Sequence, residues 1–201
     1  MLISEATFSF VDVETTGMSP ATGGRVVEVA VLSVRPGGEE EYSTLLNPQT
    51  PIPPEVTAIH GITNDMVRSA PVFCQIAPAL GARLENTVVV CHNADFDVPF
   101  LAHEFGLAGL RLPPIKILDT LRLARKNGGY KSNKLGSLAA AMGCSTEGWH
   151  RALADVRMTR HVFNHFVTLF SGHGARTVED LSELQVKKLR DFFPQAGKGD
   201  L

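Results

Sequence analysis

The run Val88-Val89-Val90 constrains the fold more than any other stretch of this chain. Successive side chains of a strand point to opposite sides of a sheet, so a strand that is apolar at every position must be covered on both faces. Such cover comes from helices packed above and below a sheet. The preceding segment, Val72 to Leu84, carries apolar residues near the helical spacing, so a helix feeds a buried central strand. Thr7 to Glu14 and Arg25 to Arg35 are rich in β-formers and read as strands; Pro36-Gly37-Gly38 turns the second into a third at Glu41 to Leu46. A proline-rich loop from Pro48 to Pro54 leads to short helices expected at Glu55 to Ile59 and Thr63 to Val67. Beyond the central strand the pattern predicts a helix at Asp97 to Phe105 and a strand at Ile115 to Asp119. Helices are then expected at Thr120 to Lys126, Lys134 to Met142 and Arg151 to Phe170. The fold class is α/β.

The 201 residues are enough to bury one substantial core but not two. Residues 1–171 are expected to form that domain. From 172 to 201 the composition changes, and Thr177 with Asp180 resembles a capping box, so a satellite helix and a flexible end are expected there. No run approaches a membrane span, and the start lacks the basic and apolar regions of a signal peptide. Three cysteines, Cys74, Cys91 and Cys144, form no C-x-x-C pair. A cytoplasmic protein without membrane contact fits these observations. The net charge of −2 argues against a long electrostatic grip on nucleic acid, but an acidic site that takes up metal would lower the net charge in the same way.

Three clusters carry chemistry. Asp12 and Glu14 sit one residue apart at the end of the first strand, on the same face. Alone, such a pair reads better as a solvated strand end than as a metal site. The cluster His92-Asn93-Ala94-Asp95-Phe96-Asp97 follows the buried strand and opens a helix, where open sheets place ligand groups. Asn93 and Asp97 would serve there as a helix cap and a favourable first-turn charge if no site exists. The third cluster, His150 to Asp155, spans five residues, which on a helix is a rotation of about 500°. Both ends converge only if His150 lies in the loop before the helix, and Gly148 favours that. Four carboxylates and one imidazole near three element ends suit hard divalent cations, Mg²⁺ or Mn²⁺, and hydrolysis of a phosphodiester by a two-metal route. The imidazole would add a base that works near neutral pH.

The strings DVETTG at 12–17, HNADFD at 92–97 and HRALAD at 150–155 resemble the three exonuclease motifs of the DnaQ-like DEDDh family. The similarity extends from about Thr7 to Phe170 and includes VTAIHGIT at 56–63, PFL at 99–101 and LDT at 118–120. It implies an RNase H-like fold, a five-stranded mixed sheet with helices on both faces, and 3′–5′ exonuclease activity. It further implies two divalent cations held by Asp12, Glu14 and Asp155, with Asp97 completing the site directly or through water, and His150 as general base. Contacts to the terminal nucleotide are implied from Thr15, Thr16, Gly17 and Met18, and from His60, with Ile59 and Met18 as an apolar seat for the base and Asn93 nearby.

The implied substrate is a nucleic acid with a free 3′ end, single-stranded or frayed DNA before RNA. Lacking a polymerase domain, the chain would either join a polymerase in trans or act alone. RNA trimming is the competing activity, and a non-catalytic docking module is the reading from another class. Such modules usually lose a motif carboxylate, and none is missing here.

Other signals take plainer readings. Phe96 is expected in the core. His161 and His165 share a helical spacing but have no third ligand for zinc, and His92 and His103 are not read as catalysts. The basic residues Arg122, Arg125, Lys126, Lys131 and Lys134 fit a phosphate guide and a charged surface equally well.

Overall fold

The computed structural model describes residues 1–192. Five strands, β1 (Phe8–Thr15), β2 (Val26–Arg35), β3 (Gly38–Leu45), β4 (Val88–Cys91) and β5 (Lys116–Asp119), form one sheet in the order β3-β2-β1-β4-β5. β2 runs antiparallel to its neighbours β1 and β3, whereas β4 and β5 lie parallel to β1. This is the five-stranded mixed sheet of the RNase H-like fold. The alternation of side chains divides the interior in two. Phe8, Phe10, Ala30, Leu32, Val90 and Leu118 face one layer, and Val11, Val13, Val29, Val31, Val89 and Cys91 face the other. The second layer is closed by α3 (Phe73–Leu84) and α4 (Ala94–Leu107) through Phe73, Leu80, Phe100 and Phe105. The first is closed mainly by α7 (Ala152–Gly172), whose Val156, Val162, Phe163 and Phe166 are buried against the sheet.

Smaller elements complete the frame: α1 (Pro54–His60), α2 (Asn64–Val67), α5 (Thr120–Asn127) and α6 (Leu135–Ala141). Two boundaries differ from the sequence pattern by three residues, for identifiable reasons. β3 begins at Gly38, not Glu41, because the register with β2 runs to the turn, pairing Arg35 with Gly38. Its glutamates are held by arginines: Glu39 by Arg160, Glu40 by Arg35 and Arg83, and Glu41 by Arg157. α4 begins three residues before Asp97, because the buried Asp119 carboxylate accepts the N–H groups of Asn93 and Ala94 at 3.0 and 3.2 Å. The Asn93 side chain does not cap the helix; its residue adopts φ 80° instead. Among the described residues no helix is long and apolar enough to cross a membrane.

The segment after Gly172 is bound more closely than a satellite would be. Thr177 and Asp180 form the capping box of α8 (Val178–Leu184), and Val178, Leu181 and Leu184 are fully buried in the layer beneath α7. Gln185 accepts the Asp119 N–H at 2.7 Å, and the backbone of Met1 and Ile3 pairs with Val178 and Arg176. A last short helix, α9 (Leu189–Phe192), follows. The end expected to be flexible, 193–201, lies outside the described residues. Because Leu181 is enclosed, Leu181→Ala should cost about 2–5 kcal/mol in urea unfolding, whereas Glu183→Ala, which removes only an exposed pair with Lys187, should cost under about 1 kcal/mol. Equal midpoints for the two variants would show that α8 is not part of the cooperative core.

Candidate active site

The row Phe8, Phe10, Asp12, Glu14 lies on one face of β1, so the packing that sets Phe8 and Phe10 under α7 also carries both carboxylates toward its first turn. Opposite Asp12 stands Ala30, and opposite Glu14 stands Glu28. The β1–β2 register shifts after Glu14, so that Thr15 pairs with Val26. Such a bulge turns the strand end without moving the pair below it.

α7 delivers the third acid. Asp155 lies in its first turn, buried at 6 % exposure, and His150 stands in the loop before the helix at φ 68°. The sequence requirement that His150 precede the helix is therefore met. Glu28 fixes this junction. It accepts Arg151 Nη2 and Nε at 2.7 and 3.1 Å and the Ala152 N–H at 3.0 Å. Glu28 belongs to none of the three motif strings. A glutamate between valines in the strand Val26-Val27-Glu28-Val29, at a position facing inward, was the available signal.

Asp97 arrives from the other layer. β4 pairs with β1 only through Phe10, and past that point the Val13 N–H donates to Asp97 Oδ1 at 3.2 Å. The helix start that carries Asp97 is held in turn by Asp119, which also accepts from Leu121 and Arg122 at the start of α5. Asp119 is a second residue missed as a contributor, since its partners are 25 and 26 residues away.

Ligand oxygens of Asp12, Glu14 and Asp155 lie within 4.8 Å of one another. Burial is the largest cause of their perturbed acidity, and the neighbouring carboxylates add to it. Asp12 is raised well above the ordinary carboxyl range, with Asp97 as its strongest charged neighbour. Glu14 and Asp97 are raised to about 8 and Asp155 to about 7, the last partly offset by a hydrogen bond from the His150 backbone. Asp155 Oδ1 is buried without a partner. An all-oxygen cluster that burial and mutual repulsion oppose, one of whose acids keeps an unpartnered oxygen, fits hard divalent cations.

The cluster opens on a cleft of about 670 Å³ whose walls include His150, Trp149, Arg125 and Lys134. Thr15 and Thr16 are buried. The Thr15 hydroxyl donates to the Gly17 carbonyl at 2.7 Å, and the Thr16 hydroxyl accepts the Arg25 N–H at 3.0 Å. Met18 and Ile59 are exposed, at 83 % and 58 %. His60 is buried, accepts the Ile62 N–H on Nδ1 at 2.9 Å, and is held below its usual acidity constant by burial. Asn93 is exposed and lines the cleft beside Phe96, which is half-buried against Phe100. His92 hydrogen-bonds Thr120 and the Asn133 carbonyl. His161 and His165 bind different partners, the Met142 carbonyl and Tyr130.

The family model RNase_T, exonuclease, matches residues 9–163, from β1 into α7. The chain belongs to this exonuclease family. It is an enzyme, a 3′–5′ exonuclease of the DnaQ type, and all five motif residues fall within the matched span. DNA polymerase III subunit epsilon of Treponema pallidum is 33% identical over 186 residues, covering 90% of this chain and 86% of that one. The 3′-5′ exonuclease DinG of Bacillus subtilis is 33% identical over 158 residues, 78% of this chain but 17% of DinG. Among solved structures, exonuclease X in complex with 5′ overhanging duplex DNA is similar at a TM-score of 0.70 and 26% identity, covering 89% of this chain and 99% of that one.

The raised carboxyls of this exonuclease bind protons more tightly folded than unfolded. Above the ordinary carboxyl range, near pH 4, the metal-free folded state therefore holds extra protons until pH passes their folded values of about 7 and 8. Stability without metal should accordingly fall as pH rises through that window. Thermal unfolding in excess chelator checks this: Tm should drop between about pH 5.5 and 8.5. Asp155→Asn should flatten the slope and raise the metal-free Tm at the alkaline end. A Tm that climbs with pH in both proteins would contradict the electrostatic account.

Proposed function

We propose that the chain releases nucleoside 5′-monophosphates one at a time from the 3′ end of single-stranded or frayed DNA, with two divalent cations, Mg²⁺ or Mn²⁺, and His150 as general base. The observation that carries this reading is the meeting of Asp12, Glu14 and Asp155 within 4.8 Å beside a cleft that Asp12, Asp155 and His150 line. These three carboxylates would hold the cations, with Asp97 completing the set. When bound, the cations supply charge to the phosphate oxygens and lower the pKa of the attacking water.

His150 accepts a proton from that water, and its place ahead of α7 keeps it apart from the helix that carries Asp155. The exposed side chains of Met18 and Ile59 would offer an apolar seat for the terminal base, and the backbone of Thr15, Thr16 and Gly17 would meet its sugar. His60 and Asn93 complete the substrate contacts. Arg125 and Lys134, on the cleft wall, suit the phosphates of the preceding nucleotides. DNA as substrate is supported by the likeness to exonuclease X, solved with DNA. A polymerase partner in trans is supported by the likeness to the epsilon subunit. Both that role and the free cysteines accord with the cytoplasm.

His150→Ala should lower kcat by about 10²- to 10⁴-fold and leave calorimetric metal affinity unchanged, while Asp12→Ala should abolish turnover. Undiminished turnover of His150→Ala, or loss of its metal, would remove His150 from the base role. Rates on matched single-stranded DNA and RNA should favour DNA. Faster digestion of RNA would reassign the substrate.

A further inference from the structure

Trp149 is the chain's single tryptophan, 39 % exposed at the cleft wall immediately before His150. Its indole and the His150 imidazole lie face to face, with centroids 4.6 Å apart and planes inclined by 14°. The indole in turn rests on α6. A Cβ built on Gly136 would fall 2.8 Å from both Cδ2 and Cε3 of Trp149, and 2.9 Å from Cε2, so only glycine admits the ring this closely. Glycine is a poor residue inside a helix, and Gly136 is buried there among Leu135, Leu138 and Ala139.

His150 needs outside support for two reasons. Its φ of 68° is one that a residue with a side chain holds only when its surroundings impose it. And among the described residues neither ring nitrogen of His150 has a hydrogen-bond partner, although a general base is ordinarily oriented by a third group. Arg151, clamped by Glu28, fixes the backbone on one side of His150 but does not orient the ring.

We propose that Trp149, seated on Gly136, is the positioning residue of His150: the stack sets the plane of the imidazole and leaves both nitrogens at its edge free for water and substrate. The inference rests on reading His150 as the general base. Its rival is an indole that stacks on a nucleotide base, a use exposed aromatics serve in single-strand binding.

Single-turnover rates and KM for Trp149→Ala, Trp149→Phe, His150→Ala and the double variant Trp149→Ala/His150→Ala separate the two. Trp149→Ala should lower kcat by about ten- to a hundredfold with KM unchanged, and Trp149→Phe, which keeps an aromatic face, should recover most of the loss. Because Trp149 acts through His150, the double variant should be no slower than His150→Ala alone. Gly136→Ala, which pushes the indole from its seat, should repeat the loss of Trp149→Ala and likewise add nothing to His150→Ala. A raised KM with unchanged kcat, or losses that multiply in the double variant, would overturn the inference and assign the indole to substrate. If His150→Ala itself turns over normally, the general-base reading fails, and the positioning role falls with it.

Discussion

The contact of Phe163 with Phe8 and Phe10, at ring separations of 5.1 and 5.5 Å, locks α7 to the central strand, and the rest of the molecule depends on that lock. The apolar half of β1 grips the helix; the acidic half, continuing on the same face, meets the helix's first turn. Carboxylates so close repel one another, and burial adds to the cost. The assembly stands because apolar packing of α7 along its length, through Val156, Val162, Phe166 and Phe170, outweighs a repulsion confined to one end. Stability is concentrated beneath the sheet and the electrostatic load at its rim.

Buried acids in this chain divide into two kinds. Glu28, Glu104 and Asp119 are satisfied: Glu104 accepts Arg25 and the Val26 N–H, and Glu28 and Asp119 accept N–H groups at helix starts. Among the described residues no arginine clamps the half-buried Asp12 and Glu14, and Asp155 keeps its Oδ1 unpartnered; their raised acidity constants follow. Two of the satisfied acids hold the helix starts that carry site acids. Glu28 secures the start of α7, with Asp155; Asp119 secures the start of α4, with Asp97. Truncating a satisfied acid would strand a buried partner and loosen the site without touching a motif residue.

Much of this was legible in the chain itself. The period-two face of Asp12 and Glu14, the buried strand at Val88 and the need for His150 to precede its helix all follow from local geometry. The five strands stand within a few residues of their expected places. What sequence did not reveal depends on partners distant along the chain. Glu28 meets Arg151 across 123 residues, and Asp119 reaches the start of α4 across 25 and 26. The depth of α8 was hidden for a related reason. Val178, Leu181 and Leu184 mark an apolar face, but only the sheet layer under α7 shows that this face closes the main core.

The two margins of the sheet are protected to different degrees by charge: β5 carries the pair of Lys116 with Glu179, and β3 carries several. Beside β5, Gln185 of the C-terminal segment occupies the Asp119 N–H with a neutral hydrogen bond. At β3 the guard is charge: a second strand approaching that margin would meet Glu39, Glu40 and Glu41 and the arginines that clasp them. Dissolved ions weaken the second kind of guard and leave the first intact. Colloidal behaviour at the β3 margin is thereby tied to ionic strength.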